Sequence, residues 1–318
     1  VSTVQITAMR KDPSMRVPTG PARRSTIMST DALTITHALV EAATTGGYAP
    51  SIQDTQPWRW RIAGKTLDLY SQRHRGLDAT DLDTRLATLS CGAALHHARV
   101  SLAAQNWHPV ITRMPDPTDR TYLAQLRVDE RAPVEPEAIQ RLRTITVRHT
   151  DRRPVSGSRP TADALSAVAA SVEAEETALR FLDPDQVRTL TRAADLARQA
   201  GADDAPWHAE LAYWTDLTQG DQNAVAFALL SGRTDRPAAW LRAGEALSAG
   251  WLTATEQGLT VLPLSAPVEV DGTRETLHAM ITDGGHPYLV LRLGTADPAL
   301  PGPPQAPRLP SRQSIERS

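Results

Sequence analysis

The sequence predicts an α+β (α/β) protein made of two related halves, on three observations. Segments of helical hydrophobic period alternate with short stretches of strand period. The 318 residues suffice for about two domains at roughly 150 residues each. One segment also recurs, ungapped, 152 positions later.

The recurrence sets CGAALHHARVSLAAQNW, residues 91–107, against AGEALSAGWLTATEQGL, residues 243–259, pairing Gly92 with Gly244, Ala94 with Ala246, Leu95 with Leu247 and Gln105 with Gln257. Each copy runs into a short extended stretch and later into a strand containing Leu-Arg, Leu126-Arg127 and Leu291-Arg292, by then 165 apart. The second copy therefore carries about 13 more residues between helix and strand. Duplication predicts two halves packed on one another as the subunits of a dimer pack.

Residues 1–29 hold no sustained period and read as a flexible tail, with Met28 a candidate natural start. Leu33, Ile35, Leu39, Ala42 and Ala43 predict a helix ended by Gly46 and Gly47. A loop over 49–57 leads to Trp58, Trp60 and Ile62, alternating as a strand; 67–70 is a second strand, 86–106 a long helix and 122–128 another strand. Pro133 and Pro136 mark a boundary, and Ala138, Ile139, Leu142 and Ile145 give a helix to Val147. Thr161 is the expected N-cap of the next helix, with Asp163 in its first turn. Helices follow over 185–200, 205–220 and 241–257, then a strand over 288–293. The expected organisation is a tail over 1–29, a first half over 30–132, a second over 133–297 and a Pro-rich, extended segment over 298–318.

Composition narrows the function classes. With 41% hydrophobic and 22% charged residues the chain can bury an ordinary core, and a net charge of −2 supplies no field for nucleic acid or an acidic membrane surface. Neither partner is expected, and no run of residues is apolar enough to span a bilayer. The single cysteine, Cys91, excludes an intrachain disulfide and a multi-thiolate metal site, which fits a reducing, cytoplasmic setting. No G-x-G-x-x-G follows a strand, and neither a P-loop nor a G-x-S-x-G elbow is present. His96-His97 cannot chelate one ion from adjacent helical positions, and Asp203-Asp204 and Glu175-Glu176 are explained by solvation. All but two of the 34 Lys and Arg are arginine, largely a compositional bias, though Arg is also the residue suited to phosphate.

Three constellations remain, the third being Arg308 with Arg312 in the terminal Pro-rich segment, individually no more than tail charges. Ala49-Pro50-Ser51-Ile52-Gln53-Asp54-Thr55-Gln56-Pro57-Trp58-Arg59-Trp60 is denser in hydrogen-bonding and aromatic side chains than a plain connection requires, and suits a planar ligand with several heteroatoms. Arg148-His149-Thr150-Asp151-Arg152-Arg153 ends a helix, where cations are favoured anyway, and it also supplies the forked donors of a phosphate site.

The first constellation resembles the A-P-S-x-x-N-x-Q-P-W signature of the nitroreductase superfamily of FMN-dependent oxidoreductases, and the second resembles that family's phosphate-binding Arg-(Arg/His)-Ser-x-(Arg/Lys). With the G-A-A-L helix, the 263–266 loop and the terminal Arg-Leu-Pro, the resemblance spans about 30 to 313 and is closest to the actinobacterial, Acg-like branch, in which two halves are fused. It implies a nitroreductase-like fold, each half a mainly antiparallel sheet flanked by helices, forming an intramolecular pseudo-dimer complete as a monomer. It also implies FMN between the halves: Pro50, Ser51, Ile52 and Asp54 facing ring or ribityl; Arg148, His149, Thr150, Arg152 and Arg308 on the phosphate; Ser265 and Ala266 offering a backbone amide near the flavin N5. No catalytic acid or base and no metal ligand is assigned, because the flavin does the chemistry, taking hydride from NAD(P)H and passing electrons to a small nitro- or quinone-like acceptor.

The second half lacks its own Pro-Ser…Gln-Pro-Trp loop, which implies one FMN per chain. Two departures stand out: Asp54 replaces the usual Asn, so a carboxylate would repel a reduced, anionic flavin and either is paired, protonates or lowers the redox potential, and Ile52 replaces a Ser. The alternative is an FMN-binding or flavin-sequestering protein without turnover, with Trp207, Tyr213, Trp214 and Trp240 in a candidate lid over 203–240; the same aromatics fit a core slightly better. A third reading, an interaction protein that has lost its cofactor, draws on Asp54.

Overall fold

The same order of elements occurs twice. α1 (Thr30–Gly46), β1 (Trp58–Ala63), β2 (Thr66–Ser71), α2 (Asp81–Ala104), β3 (Trp107–Arg113) and β4 (Tyr122–Arg131) form one set. α4 (Ala162–Glu173), β5 (Ala178–Phe181), β6 (Val225–Gly232), α7 (Pro237–Glu256), β7 (Thr260–Leu264) and β8 (His286–Gly294) form the other. Between the sets runs α3 (Pro136–Val147); α5 (Pro184–Ala200) and α6 (His208–Gln219) separate β5 from β6, and α8 (Ala266–Glu269) and α9 (Asp271–Ala279) separate β7 from β8. The last two supply the extra residues counted between the copies. The computed structural model describes residues 30–72, 81–153, 155, 158–200, 208–219, 224–282, 284–295 and 307–317. The stretch 1–29, Trp207 and residues 298–306 lie outside them.

The sheets share one topology. The first has the order β3-β4-β2-β1 and the second β7-β8-β6-β5, with neighbours antiparallel in both. Register repeats too: Val110 faces Arg127 across β3–β4, and Leu262 faces Arg292 across β7–β8, each the partner expected from the 152 and 165 offsets. The C-terminal residues return to the first half, where α10 (Ser311–Ser314) leads into β9 (Ile315–Arg317), parallel to β1.

The halves meet where the repeated helices cross. A Cβ on Gly92 would lie 2.0 Å from the Leu241 carbonyl oxygen, and one on Gly244 1.8 Å from the Leu89 oxygen. Leu89 and Leu241, themselves 152 apart, exchange places: Leu241 is buried in the core of the first half and Leu89 in that of the second. One turn on, His96 Nδ1 and Ser248 Oγ, again equivalent positions, are 2.9 Å apart. Burial pushes His96 well below the ordinary imidazole range, so it is neutral there. Residue i touching j and j touching i is the signature of a twofold interface.

Thr161 caps α4 by accepting the Ala164 N–H at 3.2 Å, as its sequence position predicts. β5, β6, α8, α9 and β9 were not predicted. β6 is buried at every residue but its ends, so it has no alternation to read, while β5, α8 and β9 have only four, four and three residues. The candidate lid over 203–240 is corrected accordingly: β6 is an interior strand of the second sheet, and Trp240 lies in the first turn of α7. Among the described residues no helix is long and apolar enough to cross a membrane.

Candidate functional site

After Gly46-Gly47 the chain forms a loop held by its own side chains. Ser51 Oγ accepts the Gln56 N–H at 3.0 Å, and the Ile52 N–H donates to Ser90 Oγ of α2 at 3.1 Å. Gln53, Asp54 and Gln56 have φ of 49°, 54° and 47°, a conformation uncommon without glycine and often concentrated at ligand-shaped loops. The buried Gln56 side chain clasps the C-terminal segment, donating from Nε2 to the Pro307 carbonyl at 3.1 Å and accepting the Leu309 N–H on Oε1 at 2.9 Å. Between them, Arg308 donates from Nη1 to the Ala49 carbonyl at 2.9 Å.

This loop forms one wall of a cavity of about 790 Å³, within the size range of small-molecule sites. The opposite wall begins at Arg148, the C-cap of α3. Its guanidinium lies 4.6 Å from the centroid of Trp251 on α7 and donates from Nη2 to the Tyr48 carbonyl at 3.2 Å. Nε and Nη1 are buried without a partner. Burial, and secondarily the nearby Arg308, pushes Arg148 down to about 9; the Asp54 carboxylate opposes the fall. Burial also lowers Arg308, again opposed by Asp54. The Asp54 that departs from the family pattern thus acts on both cations and partly offsets each.

Beyond Arg148 the backbone is fixed from beneath. Thr150 makes a parallel bridge to Val261 of β7. Arg292 of β8, fully buried, donates from Nη2 to the Asp151 carbonyl at 2.6 Å and from Nη1 to the Arg153 carbonyl at 3.0 Å. The Asp151 carboxylate grips Arg153 through Nε at 2.9 Å and Nη2 at 2.6 Å. Burial alone would raise its pKa, but the bonds from Arg153 outweigh this and hold it below the ordinary carboxylate range. Arg292→Leu would remove both bonds that hold the Asp151 and Arg153 carbonyls, so we expect a loss of about 2–3 kcal/mol in urea melts. Arg127, the equivalent residue of β4, is exposed, and Arg127→Leu is expected to change stability by less than about 0.5 kcal/mol.

Pro50, Ser51, Ile52, Asp54, Arg148, His149, Thr150, Arg152 and Arg308, all singled out from the sequence, line this cavity. Ser265 and Ala266 do not: both are buried, and their backbone N–H groups donate to Glu210 of α6. The described aromatics of the candidate lid lie elsewhere. Trp214 is fully buried with its ring centroid 4.7 Å from that of Phe227, Trp240 donates to Asp235 at 2.7 Å, and the Tyr213 hydroxyl donates to the Arg152 carbonyl at 2.5 Å. Gln56, Glu210, Trp251 and Arg292 escaped sequence reasoning. The Gln-Pro-Trp motif and the Leu-Arg echo held signals for Gln56 and Arg292; Glu210 had none.

The duplicate position on the other side of the pseudo-twofold is built differently. Trp251 and Ser265 correspond, 152 residues back, to Arg99 and Arg113. Glu245, with no exposure, accepts from Arg113 Nε at 2.7 Å and from Arg99 Nη1 at 3.0 Å; Arg99 also donates to Glu175 at 2.7 Å. Glu175 sits in the short turn between α4 and β5, where the first half has its long loop between α1 and β1.

No family model matches the chain. Two curated relatives from Mycobacterium tuberculosis (strain H37Rv) match over nearly its whole length. "Putative NAD(P)H nitroreductase Rv3131" is 33% identical over 329 residues, covering 89% of this chain and 92% of its own. "Putative NAD(P)H nitroreductase acg" is 30% identical over 317 residues, covering 88% and 96%. Among solved structures, the nitroreductase with bound FMN from Bacteroides fragilis NCTC 9343 covers 52% of this chain and 93% of its own, at 14% identity and a TM-score of 0.40. With relatives this similar along almost all of its length, the chain belongs to the nitroreductase family, in the group that contains Acg.

Proposed function

We propose that this chain is an FMN-dependent NAD(P)H oxidoreductase of nitroreductase type, reducing a small nitro- or quinone-like acceptor. The observation that carries the reading is Arg148: a buried cation with two unpartnered nitrogens, beside a second cation, Arg308, on the wall of a cavity large enough for a nucleotide. Nature does not leave such a donor set buried without an anion to meet it, and a phosphate monoester supplies the matching acceptors. The donor set therefore fits the cofactor that the family resemblance implies.

When bound, FMN would supply the hydride and electron transfer between NAD(P)H and the acceptor. Arg148 and Arg308 hold the phosphate, with His149, Thr150 and Arg152 beside them, while Arg292 and Asp151 fix the segment that carries them. Pro50, Ser51, Ile52 and Asp54 face the ring or ribityl, and Asp54 keeps the cation pair from dominating the field at that end. Ser265 and Ala266 contribute backbone N–H groups toward the ring once Glu210 releases them. No side chain is assigned as acid or base.

The cluster of Arg99, Arg113, Glu175 and Glu245 occupies the duplicate position with charges that satisfy one another, which supports one cofactor per chain. Purified protein loaded with FMN is expected to be yellow, to hold one FMN per chain by absorbance, and to bleach on addition of NADH or NADPH. Two FMN per chain would overturn the single-site assignment. A yellow protein that stays oxidised in NAD(P)H but bleaches with dithionite would replace turnover by sequestration, and failure to take up FMN would end the flavin reading.

A further inference from the structure

The Ser265 and Ala266 backbone N–H groups already have an acceptor. Glu210 Oε1 takes the Ser265 N–H at 2.5 Å and the Ala266 N–H at 3.1 Å, and Oε2 lies 3.3 Å from Ser265 Oγ. Glu210 is also the described residue of α6 that lines the cavity. Its carboxylate therefore sits on the wall, on the amides that the flavin reading gives to the ring.

We propose that Glu210 is a built-in competitor for the ring end of the cofactor, holding the amide pair in the cofactor-free protein and giving it up when a flavin binds. This rests on the flavin reading above. Charge-assisted bonds to a carboxylate are roughly twice as strong as neutral ones, so a neutral ring nitrogen or carbonyl displaces it only at a cost to affinity. The displacement is a side-chain rotation and not the departure of a helix. Leu211 and Trp214, the next residues along α6, are fully buried, and the Tyr213 hydroxyl ties the same turn to the Arg152 carbonyl at 2.5 Å. α6 thus stays in place, linking the amide pair to the phosphate segment, while one carboxylate swings.

The test measures FMN and riboflavin binding to wild type, Glu210→Ala and Glu210→Gln by flavin fluorescence, with amide exchange at Ser265 and Ala266 read in the cofactor-free proteins. Glu210→Ala is expected to bind both flavins at least about tenfold more tightly, with Glu210→Gln intermediate because its amide oxygen still accepts. Exchange at Ser265 and Ala266 should quicken in Glu210→Ala. Inorganic phosphate, used as a competitor of FMN, should show the same inhibition constant in all three, since its site lies at the arginines. Equal or weaker flavin binding by Glu210→Ala, or unchanged amide exchange, would overturn the competitor role while leaving the flavin reading standing. If none of the three proteins binds FMN, the flavin reading falls and the competitor role with it.

Discussion

Arg148→Ala is expected to abolish FMN retention while leaving the cofactor-free protein as stable as wild type or more so. Each charge-assisted bond to a phosphate contributes about 1.5–3 kcal/mol, and the two free nitrogens of Arg148 offer two such bonds. Their loss should weaken binding by about a hundredfold or more. Stability moves the other way because burial depresses Arg148 to about 9 in the fold, well below the ordinary guanidinium range that it regains on unfolding. A cation with a depressed pKa binds fewer protons when folded, so stability rises with pH above about 9 towards the ordinary guanidinium range, and the cost is fully present at pH 7. That cost is on the order of 3–5 kcal/mol, offset in the variant by the lost contact with Trp251 and the Tyr48 carbonyl. Calorimetric melts with and without FMN separate the two effects: the cofactor-induced rise in Tm should vanish, with the cofactor-free Tm unchanged or higher. Arg148→Lys, which keeps a charge but loses the fork, should fall between. Normal FMN retention by Arg148→Ala would refute the phosphate assignment.

How far the sequence carried this site depends on the range of each signal. The loop over 49–57 and the segment from Arg148 were legible because each packs its chemistry into a few consecutive residues. The long helices α2 and α7 were legible from period, and their kinship from a constant offset. What escaped reading is what depends on distant pairing. β6 has apolar residues on both faces, so its alternation disappears once it lies inside a sheet. Gln56 acquires its role from residues 251 positions away, and Glu210 meets Ser265 across 55. The departure at Asp54, read from sequence as a source of repulsion, becomes a counter-charge once folding brings Arg148 and Arg308 near it. The Leu-Arg echo kept its register but not its burial: Arg127 faces solvent, whereas Arg292 is enclosed beneath the Asp151 and Arg153 carbonyls. Divergence between the halves is thus concentrated where the cavity is built on one side and filled by ions on the other.

The crossing of α2 and α7 sets the second large effect. Gly92→Ala and Gly244→Ala are each expected to destabilise the protein by about 3 kcal/mol or more, at the upper end of overpacking costs. In a helix interior alanine is favoured over glycine by about 1 kcal/mol, so local propensity predicts the opposite sign and the packing must overrule it. The atoms in the way are backbone on both helices: the Leu241 oxygen at 2.0 Å and the Gly244 Cα at 2.9 Å from a Cβ on Gly92, and the Leu89 oxygen at 1.8 Å and the Gly92 Cα at 2.8 Å from one on Gly244. Neither can rotate aside, so the helices must part, and with them Leu89 and Leu241, which are buried in each other's cores. Gly272→Ala in α9, where a Cβ meets nothing within 4 Å, serves as the control and should be neutral or slightly stabilising. Because both glycines act at one contact, the double variant should cost less than the sum of the two singles. Thermal melts of the four proteins decide the matter, and FMN titration extends it, since Ser90 and Trp251, on the two cavity walls, ride on these helices. A Gly244→Ala protein that melts like wild type would show that the two repeated helices do not meet through their equivalent glycines.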